Sequence, residues 1–101
     1  MRLGFTPLAE QDLVSIADYI ATDNPRRAAS FVRELRQQCE RIKRNPTGYR
    51  LRPELGEGIR SCAHGRYMVF FIASASEIVV VRILHGARDL PAQFSADETP
   101  P

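Results

Sequence analysis

The chain is poor in the residues that bind metals or carry redox chemistry. Its 101 residues contain two cysteines, Cys39 and Cys62, and two histidines, His64 and His85. There is no Cys-x-x-Cys pair, and so few ligating side chains make no zinc-binding pattern. Two cysteines also fall short of the disulfide framework that staples small secreted domains, so both read as small reduced residues. No cofactor and no metal site is expected. Long apolar runs are missing as well. Met68 to Ala73 and Ile78 to Val81 are of strand length, far below the roughly 20 residues that span a bilayer. The opening Met1-Arg2-Leu3-Gly4-Phe5 has neither the apolar core nor the cleavage site of a secretory leader. No membrane partner is expected, and the chain is read as cytoplasmic. Internal repeats and domain boundaries are absent. The glycines of Gly56-x-Gly58 follow no strand and open no helix, which excludes a phosphate-cradling loop.

What is present fits one soluble domain. Hydrophobic residues make up 44% and charged residues 26% of the chain, the balance of an ordinary folded protein. A single domain over residues 1–94 is expected, with residues 95–101 as a flexible polar tail. The net charge of +2 hides an uneven distribution. Residues 1–23 carry a net −3, residues 24–45 a net +5, and residues 46–101 balance. Such a basic segment either meets an acidic partner or is the solvated face of a helix beside the acidic segment before it.

Periodicity divides the chain into elements. Arg2 to Phe5 reads as a short strand. Thr6-Pro7 is a helix start, since Thr accepts free N–H groups and Pro suits the first helical position. Ala9, Leu13, Ile16, Ala17 and Ile20 then share one helical face. Asn24-Pro25 repeats the start signal, and Ala28, Phe31, Val32, Leu35, Cys39 and Ile42 form the apolar stripe of a second helix. That helix should end near Arg44, ahead of Pro46. Residues 45–58, with Pro46, Gly48, Pro53, Gly56 and Gly58, read as a loop without regular structure. Three strands follow, at Ile59 to His64, Arg66 to Ala73 and Glu77 to His85, the last two apolar enough to be covered on both faces. His64-Gly65-Arg66 reads as a turn, and Ala87 to Phe94 as a possible short last helical turn. The order β-α-α-β-β-β predicts an α+β fold, in which an antiparallel helix hairpin packs on a three-stranded antiparallel meander.

The closing run Val81-Arg82-Ile83-Leu84-His85-Gly86-Ala87-Arg88-Asp89 resembles the end of the last strand in ParE toxins, a branch of the RelE/ParE toxin–antitoxin superfamily. Phe5-Thr6-Pro7-Leu8-Ala9-Glu10-Gln11-Asp12-Leu13, with Ile16 and Tyr19-Ile20, is similar to the family's first helix. Pro46, Gly48, Arg50, Leu55, Gly56 and Arg60 match its central loop and next strand, and Gly65-Arg66-Tyr67 its hairpin. The resemblance covers roughly residues 3–90. It implies a toxin held inactive by a ParD-like antitoxin, acting on DNA gyrase when free, touching DNA only through the antitoxin, and working as an inhibitor rather than an enzyme. The last strand and the segment after it, through Arg82, His85, Arg88 and Asp89, are the expected surface for the target. The basic helix, through Arg26, Arg33, Arg36 and Lys43, is the expected site for an acidic antitoxin segment.

The ribonuclease branch of the same superfamily is the rival reading. Its chemistry needs a base for the ribose 2′-hydroxyl, cations on the phosphate and an acid for the leaving oxygen. His85, Arg66 and Arg82 are the candidates here, with Arg60 and Arg88 as further phosphate ligands and Glu54 or Glu57 as a base. Two features count against it. No tyrosine follows Tyr67, and Lys43 is the single lysine, whereas ribosome-directed members are typically rich in lysine. His85, at the end of an apolar strand before Gly86, reads more readily as a hydrogen-bonded structural residue than as a catalyst.

Overall fold

The computed structural model describes residues 1–86 and Phe94. Helix α1 (Pro7–Asp23) begins where the sequence signals it, with the Thr6 hydroxyl accepting the Ala9 N–H at 3.1 Å. Asn24 then serves two helices. Its N–H donates to the Ile20 carbonyl at 2.9 Å and closes α1. Its side-chain oxygen accepts the Arg27 N–H at 3.1 Å and opens α2 (Pro25–Arg44). With one residue between them, the helices fold back as a hairpin.

Five strands build the sheet: β1 (Arg2–Phe5), β2 (Arg50–Leu51), β3 (Ile59–His64), β4 (Tyr67–Ala73) and β5 (Glu77–His85). Their spatial order is β1-β5-β4-β3-β2. The β3-β4-β5 meander is antiparallel as expected, and the β3–β4 turn uses Gly65 at φ 60°, a conformation that side chains disfavour. Two features depart from the sequence reading. β1 runs parallel to β5, Arg2 opposite Glu77 through Phe5 opposite Val80, so the sheet is mixed. Residues 45–58 are also not wholly irregular, since Pro46–Gly48 form a 3₁₀ turn and β2 adds a fifth strand on β3. The cause is long-range. The Arg52 N–H donates to the Ile59 carbonyl at 2.7 Å, and the Arg60 guanidinium donates to the Tyr49 carbonyl at 2.8 Å. No local propensity in a Pro- and Gly-rich stretch carries that information.

The helix hairpin covers one face of the sheet. Phe31, Leu35, Cys39 and Ile42 of α2 pack with Val69, Phe71, Ile78, Val80 and Ile83. On the opposite face Leu55, Ile59, Phe70, Leu84 and Phe94 form a second cluster. Phe94 meets Phe70 edge-on, with ring centroids 5.1 Å apart. Each fully buried Phe or Leu contributes about 1.5–3 kcal/mol through burial. The central strands are thus covered on both sides, as their unbroken apolar sequence predicts.

Candidate functional site

Because β1 ends at Phe5, it pairs with β5 only as far as Val80. Beyond that point the edge of β5 lies against α1. A register shift in the β4–β5 ladder, where Phe70 faces Arg82 and Phe71 faces Val80, leaves Val81 as the extra residue. The Thr6 hydroxyl donates to the Val81 carbonyl at 2.9 Å. Asp12 then takes over the strand edge. Its Oδ2 accepts the Ile83 N–H at 2.9 Å and Arg82 Nε at 2.7 Å, while Oδ1 accepts Arg82 Nη2 at 3.0 Å. This fork is a two-bond Arg–carboxylate pair, with side chains only 11% and 14% exposed for Arg82 and Asp12.

The pair forms the floor of a cleft of about 610 Å3 between α1 and the end of the sheet. Ser15, Ile16 and Tyr19 form its α1 wall, and Arg66, Tyr67 and His85 its sheet wall. The Gly86 N–H donates to the Arg66 carbonyl at 2.9 Å, which draws the β3–β4 turn beside the end of β5. The His85 ring stands edge-on to Tyr67 at 5.5 Å, and Tyr67 in turn packs on Phe31 at 5.4 Å. Phe31 also touches His64, with centroids 5.4 Å apart. Burial holds the His64 pKa below its usual value against the opposing pull of Glu34, and Arg27 and Arg41 push it the same way as burial. Glu34 itself stays well inside the ionised range because Arg27 donates to it at 2.8 Å.

Arg66, Arg82 and His85, singled out from sequence, therefore share one cleft. Arg88 and Asp89 lie outside the described residues. Arg60 donates to the Thr47 and Tyr49 carbonyls, a structural task that occupies its guanidinium. Glu54 pairs with Arg52 at 2.8 Å, and neither Glu54 nor Glu57 lines the cleft. On α2, Arg26, Arg33 and Arg36 are exposed, whereas Lys43 pairs with Glu40 at 2.9 Å. Among the described residues no ion pair joins α1 to α2, so the acidic segment does not neutralise the basic one through contact. Sequence reading missed Asp12, Ser15 and Tyr19. For Asp12 a signal existed, because it falls three residues after Ala9 and four before Ile16, on the buried stripe of α1. A carboxylate on such a stripe implies a buried cationic partner.

The family described as the ParE toxin of the type II toxin-antitoxin system, parDE, matches residues 3–90. The chain belongs to the ParE toxin family. Among solved structures, the chromosomal ParDE system from P. aeruginosa is similar at 25% identity and a TM-score of 0.70, covering 84% of this chain and 95% of that one. The RelBE2 toxin–antitoxin complex from Mycobacterium tuberculosis is similar at 25% identity and a TM-score of 0.56, covering 83% of this chain and 95% of that one. A comparison with curated proteins finds no match. The chain is thus a ParE-type toxin whose relatives include both ParDE and RelBE systems. No helix among its described residues is long and apolar enough to cross a membrane.

Proposed function

We propose that this ParE-type chain acts in the cytoplasm as an inhibitor of DNA gyrase and is silenced by a ParD-like antitoxin. The match to the parDE toxin family over residues 3–90 carries the reading. The cleft supports it. A phosphoryl-transfer site needs cations whose charge is free to meet the phosphate. Arg82 instead lies in a buried fork with Asp12, whose carboxylate already accepts three hydrogen bonds. Arg66, His85, Tyr19 and Tyr67 then make a surface suited to protein contact, and His85, Arg88 and Asp89 are assigned to the target, whereas Arg82, only 11% exposed in its fork with Asp12, holds α1 on the strand edge instead of touching the target.

The antitoxin is best matched to α1, where Leu8 and Tyr19, 39% and 74% exposed, lie on one side and Val14, 60% exposed, lies about 120° or more round the helix from both. A protein partner wants such apolar anchors. The outer edge of β3 is a second place, because β2 pairs only with Arg60 and Ser61 and leaves Cys62 to His64 open to strand addition. A second reading, ribosome-dependent mRNA cleavage, draws on the likeness to RelBE2 and on the meeting of Arg66, Arg82 and His85 in one cleft.

One paired assay separates the two readings: gyrase supercoiling, run beside translation-dependent mRNA cleavage. Loss of supercoiling with intact mRNA is the expected result. Cut mRNA with normal gyrase activity overturns it, and makes His85, Arg66 and Arg82 the catalytic set.

A further inference from the structure

The solvent face of α2 is densely basic. Arg26, Arg33, Arg36 and Arg44 are exposed, and among the described residues none of them takes part in an ion pair or a side-chain hydrogen bond. The acids on this helix are already engaged, Glu34 by Arg27 at 2.8 Å and Glu40 by Lys43 at 2.9 Å. At about 100° per residue, Arg26, Arg33 and Arg44 project within about 20° of one another, while Arg36 lies about 60° to one side of Arg33, with Glu40, already paired with Lys43, between them. At about 1.5 Å per residue the line from Arg26 to Arg44 is about 27 Å long. One uninterrupted helix carries it.

The composition of this face selects its partner. None of the large hydrophobic side chains exposed on the protein lies on α2. A protein interface needs an apolar centre, and the exposed apolar side chains of the helix hairpin, Leu8, Val14 and Tyr19, are all on α1. A single-stranded nucleic acid would want exposed aromatics for base stacking, and the one aromatic of α2, Phe31, is buried under the sheet. What remains is a rigid, wholly polar row of guanidinium groups, each of which can bind a phosphate through two hydrogen bonds. Gln37 lies on the same stripe as a further donor.

We propose that α2 binds the sugar–phosphate backbone of duplex DNA directly through Arg26, Arg33, Arg36 and Arg44, without reading sequence. The choice of DNA over duplex RNA rests on gyrase being the target, since gyrase holds a DNA duplex. The proposal departs from the expectation that this helix captures the antitoxin and that DNA is touched only through the antitoxin. It also gives the toxin two working elements, α1 with its exposed apolar side chains for a protein and α2 with its cationic row for a nucleic acid.

The test uses the full chain and needs no gyrase, so its failure is separate from failure of the inhibitor reading. Binding to a fluorescently labelled DNA duplex of arbitrary sequence is followed by anisotropy across a salt series. Four phosphate contacts predict a slope of log affinity against log salt of about −3.6. Replacing the four arginines together by Gln (R26Q, R33Q, R36Q, R44Q) should abolish the slope and nearly all of the binding. Replacing them by Lys should restore most of both, which separates charge from loss of fold. Scrambling the DNA sequence should change nothing. The proposal is overturned if the Gln variant binds DNA as well as the parent, or if single-stranded RNA or duplex RNA binds more tightly than duplex DNA. It is overturned equally if the parent binds no DNA at low salt while the Gln variant loses association with a ParD-like antitoxin, which would return this face to the antitoxin.

Discussion

At the scale of single residues, the Asp12–Arg82 fork decides how α1 sits on the sheet. The carboxylate does two things at once, neutralising a guanidinium that is only 11% exposed and accepting an N–H from a strand edge that β1 leaves uncovered. Removing one side of such a pair strands the other charge in a poorly hydrated place, at a cost of about 3 kcal/mol or more. Asp12→Ala should therefore lower the unfolding free energy by about that amount, and the urea midpoint with it, and adding Arg82→Met should recover a good part of the loss. If Asp12→Ala alone unfolds at the parent midpoint, the fork is not what fixes α1. His64 supplies a second residue-scale test. Burial beside Phe31 depresses its folded pKa below the ordinary 6.5. The unfolded chain then takes up the proton first as pH falls, so stability present above about 6.5 is lost below it. Glu34 pulls the other way, and Arg27 and Arg41 reinforce the loss. Denaturation at a series of pH values should show stability falling through this window, with a shallower fall in His64→Gln. An identical pH profile in the variant would remove His64 from the account.

At the scale of elements, local chemistry was read well and long-range chemistry poorly. Thr6-Pro7 and Asn24-Pro25 announced both helix starts, because a capping side chain and a preset φ act within three residues. The strands at residues 59–64 and 77–85 ended where Gly65 and Gly86 break the pattern. The two-residue β2 left no such trace, since Arg50 and Leu51 are strand only by virtue of pairing with Arg60 and Ser61. The cleft divides in the same way. Arg66 and His85 stand out in the sequence as polar residues at the ends of apolar strands, and Arg82 as a charge amid apolar strand residues. Tyr19 and Ser15 do not, because the register of α1 against β5 is set by contacts 70 residues apart, such as Asp12 with Arg82. The same distance explains why Arg82 could be named from sequence while its engagement by Asp12 could not.

At the scale of the whole molecule, the pairing of β1 with β5 joins the first residues of the chain to the last strand of the meander. It supplies the only parallel ladder among the described strands and brings Leu3 and Phe5 against the main core. Without β1, the backbone groups of residues 77–80 that face it would be unpaired, beside apolar Ile78 and Val80. An exposed edge of that kind is a template for intermolecular pairing. A chain of about 100 residues has little stability in reserve, since burial per residue is modest at this size. Deleting residues 2–5 should therefore yield protein that aggregates or elutes as large oligomers. The full chain at equal concentration should give one sharp cooperative unfolding transition. The aggregation should lessen when Val79 is replaced by Lys in the shortened chain, because a charge on a bared edge discourages strand addition. A shortened chain that stays monomeric and melts like the parent would show instead that the helix hairpin and the β3-β4-β5 meander suffice, with β1 an ornament on a fold already complete.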